Sequence, residues 1–338
     1  MSRPRVYCTL FDRNYLDKAL AMYRSLEQHA GPFRLIACTF DRRAEELLAR
    51  LELAHLDVVA LRDLEAHDPD LRAVKDRRTP VEYCWTATPA LPLYVMETRR
   101  GLDEVTYVDA DLRFFGDPSP IFAEMGNASV LITPHRYAPE YAHHATSGIY
   151  NVQFLTFRRT EEGLRALRWW RERCLEWCHA RLENARFGDQ KYLDDWPDRF
   201  AAVHVLRHIG AGAAPWNVLQ YDMRAGPDGT VTVDGTPLIF FHFHGLRLRR
   251  SGRDVLHPPG YHVPKAALEL VYRPYLDDLA AARAELAAVD RGFQEGLEDD
   301  PPLARRLGDA RVRAGETVLR RFPALARVRY PNRSSATP

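Results

Sequence analysis

The sequence predicts an α/β protein whose core is a parallel sheet with flanking helices, followed by a helical C-terminal extension. Three observations carry this. Residues 6–61 alternate strand, helix, strand, helix, strand, an order that right-handed crossovers turn into a parallel sheet. An apolar segment at 104–109 ends in two aspartates, at the place where open α/β sheets bind their ligands. The chain has 338 residues and is 46% hydrophobic, so it can bury a sizeable core as one large α/β domain or two small ones.

Residues 6–10, Val-Tyr-Cys-Thr-Leu, read as a buried first strand. Apolar residues at Leu16, Ala19, Leu20, Met22, Tyr23 and Leu26 give helical spacing over 15–29, and Gly31-Pro32 stops that helix. Residues 34–39 form a second strand, 41–53 a second helix with Leu47, Leu48 and Leu51 on one side, and 55–61 a third strand. The polar stretch 63–80 reads as a loop. Residues 81–100 read as a helix kinked by Pro89 and Pro92. Strands follow at 104–109, 129–133 and 150–157. A long amphipathic helix is expected over 161–183, with Leu164, Leu167, Trp170, Cys174, Leu175 and Cys178 inward. Residues 238–243 form a late strand. After Lys265 the chain turns Ala-, Leu- and Arg-rich, which divides it into a catalytic domain over 1–264 and a helical extension over 265–338.

A formal net charge of +1 argues against a general polyanion binder, and so against nucleic acid as a partner. The charge is uneven, however. From 301 to 338 there are nine Arg against Asp309 and Glu316, a net of 9 − 2 = +7. That is the composition of a solvated helical tail or of a surface that meets an anionic membrane or an acidic partner. Five cysteines, an odd number placed mostly in apolar stretches, fit a reduced, cytoplasmic protein. The start of the sequence runs straight into a strand, and no apolar run approaches 18 residues, so neither a signal peptide nor a membrane span is expected.

Asp109 and Asp111 stand one residue apart where a strand stops, so both carboxylates can turn to one ion. Hard oxygen ligands suit Mg²⁺ or Mn²⁺, cations that also bind phosphates. An isolated Asp-x-Asp is common in solvated turns; its place after an apolar strand is what raises it here. The block Tyr107-Val-Asp-Ala-Asp-Leu-Arg-Phe-Phe-Gly-Asp-Pro-Ser-Pro-Ile-Phe122 resembles the corresponding block of glycosyltransferase family eight, the glycogenin and lipopolysaccharide galactosyltransferase group. The resemblance runs through separated blocks over residues 5–250. It implies the GT-A fold, a Rossmann-like mixed, mostly parallel sheet. It also implies a nucleotide-sugar donor, UDP-linked in that family, held through Mn²⁺ (or Mg²⁺) at an acidic triplet.

Carried over residue by residue, the resemblance makes Asp109 and Asp111 metal ligands, with Tyr107 and Asp109 beside the donor. Thr9 and Leu10 would line the base pocket and Tyr15 would stack on the base, unless Tyr15 serves to anchor its helix. The strand 150–157 resembles the family's Asn-containing strand facing the donor sugar, which singles out Asn151. Gln153 stands where the family carries Gly and is itself a candidate for sugar contact. Gly188-Asp189-Gln190 resembles the element whose Asp lies by the transferring sugar, although Gly-Asp-Gln is also a good helix start. His242, with Gly245 three positions on, matches the family's third metal ligand. His244 is an alternative ligand or a diphosphate contact. The family's Lys-Pro-Trp after that His is missing, and Arg247, Arg249 or Arg250 could supply its charge. Trp216-Asn217 either shapes the acceptor side or packs.

Together these imply a metal-dependent glycosyltransferase, retaining by resemblance, acting on a carbohydrate, lipid-linked or small-molecule acceptor. Two alternatives stand beside it. A nucleotidyltransferase would want a Gly-rich phosphate loop, and residues 9–15 contain no Gly. An aspartyl-phosphate phosphohydrolase would want its Asp-x-Asp after the first strand. A non-catalytic nucleotide-sugar-binding protein need not keep both carboxylates and the imidazole.

Overall fold

The computed structural model describes residues 4–301. In chain order its strands are β1 (Arg5–Phe11), β2 (Phe33–Thr39), β3 (Leu56–Ala60), β4 (Glu104–Val108), β5 (Leu112–Phe114), β6 (Val130–Pro134), β7 (Tyr150–Arg158), β8 (Val203–Val205), β9 (Ala211–Ala213), β10 (Met223–Ala225), β11 (Val231–Val233), β12 (Thr236–Pro237), β13 (Phe240–His242), β14 (Leu248–Arg249) and β15 (Leu297–Glu298). Seven of them form the central sheet in the order β3-β2-β1-β4-β7-β6-β8. Within it β7 runs against β4 and β6, and the other pairings are parallel. A three-stranded sheet, β5-β13-β9, stands beyond the end of β4.

The main helices of the first two-thirds are α1 (Leu16–His29), α2 (Arg42–Leu51), α3 (Leu61–His67), α4 (Pro69–Val74), α5 (Pro80–Ala87), α6 (Ala90–Thr98), α7 (Ser119–Met125) and α8 (Glu161–Glu176). They bury apolar faces on both sides of the sheet. One cluster gathers Leu20, Tyr23, Phe114, Phe154 and Phe240; the other gathers Cys8, Leu64, Leu91, Phe157 and Trp170. The fold class expected from sequence is the one observed.

Three local expectations are corrected. The stretch 63–80 is not a loop. It holds α3, α4 and a 3₁₀ turn, because Leu61, Leu64, Leu71 and Val74 supply a buried stripe and Asp68 caps Leu71 with Pro69 at the first helical position. The helix expected over 161–183 ends at Glu176: Trp177 turns extended, and the Arg78 guanidinium takes the Leu175 carbonyl at 3.2 Å. The helix over 81–100 is two pieces, α5 and α6, parted at Thr88-Pro89, where proline has no N–H to continue the ladder.

The helical segments Lys265–Ala267, Leu268–Tyr272 and Arg273–Val289 run on from one another without a break and lie along α1. Tyr272, Tyr275, Leu279 and Leu286 join the same apolar cluster as α1 and β13. Ion pairs tie this segment down: Arg113 to Asp278 at 2.6 Å, Arg24 to Glu285 at 2.6 Å and Arg283 to Asp17 at 2.7 Å. The Arg-rich stretch from 302 onward lies outside the described residues. Among the described residues no helix is long and apolar enough to cross a membrane.

The Tyr275 ring stacks on Phe243 at 3.7 Å between centroids and is fully buried. Tyr275→Ala should therefore lower stability by about 3–5 kcal/mol in denaturant unfolding. An unchanged midpoint would mean that this helix is not part of the core.

Candidate active site

The site is built where β4 stops. The chain turns at Asp109-Ala110-Asp111 and re-enters as β5, which pairs antiparallel with β13 so that Leu112 faces His242. Backbone bonds fix both aspartates: Asp109 N–H donates to the Gln153 carbonyl at 3.0 Å, and Phe243 N–H donates to the Asp111 carbonyl at 3.0 Å. The outcome is a convergence of Asp109, Asp111 and His242, with one donor atom from each lying within 4.8 Å of the others. His242 Nε2 stands 3.1 Å from Asp111 Oδ1 and 3.8 Å from Asp109 Oδ2.

The electrostatics match the geometry. Burial pushes the Asp109 carboxyl up to about 6 against the pull of His242, and the Asp111 charge adds to the rise. Burial works the same way on Asp111, but His242 and Lys18 outweigh it and hold that carboxyl below its usual range. The Tyr107 hydroxyl donates to Asp109 at 3.1 Å. A half-buried and a buried carboxylate facing one buried imidazole suit a hard divalent cation. Metal–oxygen bonds of about 2.1 Å put opposed ligands about 4 Å apart, so these side chains need to move little to close on Mn²⁺ or Mg²⁺.

For Trp216 and Asn217, where acceptor shaping and packing both stood open, the contacts are those of packing. Trp216 is buried, its indole edge-on to His242 at 5.2 Å and 5.7 Å from His244. Both residues donate to the His135 carbonyl at 2.9 Å. His135 is paired in turn to the Asn151 amide at 2.9 Å, and the Asn151 carbonyl accepts from Gln153 N–H at 2.9 Å. Gln153 is fully buried, and among the described residues neither atom of its amide has a partner. It faces Gly212, whose φ of +93° suits glycine and whose missing Cβ leaves the amide its room.

Asp189 is buried just ahead of a 3₁₀ turn, and Trp170 holds its carbonyl at 2.9 Å. Burial raises its carboxyl to about 7, the Asp109 charge adds to this, and hydrogen bonds from its own amide, Thr88 and Gln190 oppose it. Gln190 is tied to the Ser147 carbonyl at 2.9 Å.

Tyr15 is 40% exposed and lines a cavity of about 500 Å³ with Lys18, Gly245, Arg247 and Glu298. Gly245 makes the turn after His244 possible: its φ is +73°, and a Cβ there would stand 2.5 Å from Pro258. Arg247 reaches Glu298 at 3.9 Å, Arg249 is drawn to Asp300 at 3.5 Å and Arg250 to Asp299 at 3.3 Å, so of the three Arg247 is the one on the cavity wall. His244 is exposed beside the triad rather than in it. The side chains of Thr9 and Leu10 are buried within β1, Leu10 among Val59, Tyr83 and other core residues, and neither lines the cavity.

Sequence reading missed Lys18 and His135. Lys18 looks like one more helical surface charge, and His135 carries no motif. Burial, helped by the charges of Asp189, Asp109 and Asp12, raises the Cys84 thiol and makes it a poor nucleophile.

A sheet of this topology with an acidic pair beyond β4 defines the GT-A glycosyltransferase fold, as the resemblance to glycosyltransferase family eight implied. The galactosyltransferase LgtC, solved with donor and acceptor sugar analogs, shares that fold at a TM-score of 0.50 and 12% identity, over 82% of this chain and 95% of LgtC. The chain belongs to the family of Uncharacterized protein YfnD of Bacillus subtilis (strain 168), to which it is 34% identical over 294 residues, 86% of this chain and 94% of YfnD. Uncharacterized protein YfnF of the same organism is 34% identical over 249 residues, 72% of this chain and 82% of YfnF. No family model matches.

The Asp189 carboxyl takes up its proton more readily folded than unfolded, so the folded state binds more protons between about pH 4 and pH 7 and loses stability as pH rises through that window. Asp189→Asn should therefore be more stable than the parent at pH 8, by on the order of 1–3 kcal/mol, and no more stable at pH 4. Urea melts in EDTA at the two pH values check this. A pH-independent difference would refute it.

Proposed function

We propose that this chain is a metal-dependent glycosyltransferase that moves a sugar from a nucleotide-diphosphate donor, UDP-linked by resemblance, to a carbohydrate, lipid-linked or small-molecule acceptor with retention at the anomeric carbon. The observation that carries the reading is the meeting of Asp109 and Asp111 from one strand end with His242 from another. In this proposal residues 1–264 are the catalytic unit and 265–338 support it.

Asp109, Asp111 and His242 would hold Mn²⁺ or Mg²⁺, which supplies positive charge to the departing diphosphate. The remaining work falls to the protein's own groups. Tyr107 orients Asp109 through its hydroxyl, and Trp216 keeps the His242 ring in place. The unpartnered Gln153 amide offers a donor and an acceptor to sugar hydroxyls, with Asn151 fixing its backbone. Asp189, half protonated near neutrality, would stand at the reacting face of the sugar and Gln190 beside it. Tyr15 and Arg247, on the cavity wall, would take the base and phosphate. His244 is exposed beside that wall and suits a diphosphate contact.

UDP with Mn²⁺ should raise the melting temperature, and EDTA should remove the effect. Released nucleotide from UDP-glucose, UDP-galactose, UDP-N-acetylglucosamine and GDP-mannose then names the donor. Asp111→Asn and His242→Ala should each cut turnover by about 100-fold or more and abolish the Mn²⁺-dependent shift. Turnover at parental rates in both variants would end the metal reading. Phosphate release from sugar phosphates would favour a phosphohydrolase instead. NMR of the anomeric product decides retention against inversion.

A further inference from the structure

Lys18 is one of four lysines in a chain whose basic residues are otherwise arginine. It is 7% exposed and lies on α1, yet it lines the cavity, and its charge acts on Asp111. Its ammonium donates to the Leu246 carbonyl at 2.8 Å and sits 3.9 Å from the centre of the Tyr15 ring. Among the described residues it forms no ion pair. The acid next to it in sequence is already engaged: Asp17 accepts from Lys18 N–H at 2.8 Å and from the Arg283 guanidinium at 2.7 Å. Glu298, the carboxylate on the cavity wall, leans toward Arg247 at 3.9 Å.

A buried ammonium without a counter-ion is costly, and folded proteins pair such charges. An ammonium has three N–H donors. One is used by Leu246, and the Tyr15 face attracts the charge without satisfying the rest. The charge of Lys18 also reaches Asp111 and His242, so one residue serves both the triad and the cavity. The cavity that Lys18 lines, with Arg247 also on its wall, offers an anion two cationic groups.

We propose that Lys18 is the cation that receives the donor's diphosphate, in the role that the absent Lys-Pro-Trp segment would otherwise fill, with Arg247 at the cavity rim. This rests on the nucleotide-sugar reading above and adds to it a residue from a different part of the chain. Lys18 is a binding residue for the leaving diphosphate. The donor's phosphates would give it a partner at ion-pair distance, which Asp111, Asp17 and Glu298, acting on it from farther off, do not.

The test is calorimetry on the full chain with Mg²⁺, using UDP, UMP and uridine as probes, on the parent and Lys18→Met. The expected result is a loss of UDP affinity of about 10- to 100-fold, a smaller loss for UMP and none for uridine. The melting temperature of ligand-free Lys18→Met should equal or exceed that of the parent, since an unpaired buried charge has been removed. A UDP affinity equal to the parent's would overturn the proposal, as would equal losses for all three probes, which mark a structural clip between α1 and Leu246. Should the variant not fold, ¹³C-lysine labelling of the parent gives four resolvable ε-methylene signals. Pyrophosphate with Mg²⁺ should then move the Lys18 signal and leave those of Lys75, Lys191 and Lys265; a static Lys18 signal sinks the idea. If the parent itself binds no UDP, GDP or ADP with either metal, the donor reading fails and takes this role with it. If the parent binds and Lys18→Met binds alike, only Lys18 is lost.

Discussion

The pairing of β5 with β13 is the constraint on which the site depends. Its register sets His242 opposite Leu112, and so beside Asp111. Side chains alternate along a strand, so a slip by one residue would turn His242 away from the aspartates and Phe243 toward them. The register is held from both sides. Phe243 is stacked on Tyr275, and Phe240 is stacked on Phe154 at 5.2 Å. The imidazole thus inherits its place from aromatic packing on either side of it, and a helix outside the triad becomes necessary to the triad's geometry.

Electrostatically, the same region is poorly satisfied by the protein alone. Asp109 and Asp189 hold protons up to about 6 and about 7, and among the described residues the Gln153 amide is unpaired and Lys18 forms no ion pair. Each is a local loss of stability: Asp109 stands at the end of β4 with its amide bonded to Gln153, its charge reaches Asp189, and Lys18 lines the cavity. Scattered faults would have no common remedy. Under the proposed function these groups would be met together, by a ligand that brings a cation to the carboxylates, an anion to the ammonium and hydroxyls to the amide. Under the proposed function, a nucleotide-diphosphate sugar with its metal would bring those parts. The large apolar clusters on both faces of the sheet make such a deficit tolerable.

The strands were legible because their signal is local. Runs such as Val6-Tyr7-Cys8-Thr9-Leu10 and Leu131-Ile132-Thr133 have little else to be. The acidic pair was legible because it comes directly after such a run. Short helices were not: α3 and α4 show only Leu61, Leu64, Leu71 and Val74 among charged residues, too few for a periodicity to stand out. The end of α8 was hidden because Cys178 keeps the helical spacing of buried residues after the backbone has turned extended at Trp177. Lys18 could not be read at all, since its distinguishing contact is the carbonyl of Leu246, 228 positions away.

That distance also bears on the chain beyond residue 264. The cavity wall takes Tyr15 and Lys18 from α1, Gly245 and Arg247 from the turn after β13, and Gly296 to Glu298 from the last described stretch. The closing strand β15 pairs with β14, and the helix Arg273–Val289 leads into it while gripping α1 through Arg283 and Asp17. An alignment of 294 residues to YfnD is longer than residues 1–264 can supply, so the two chains share part of the helical segment as well. The physical reason is in the wall itself. Without the segment 265–298 the cavity opens on one side, Tyr275 leaves Phe243, and Asp17 loses its arginine.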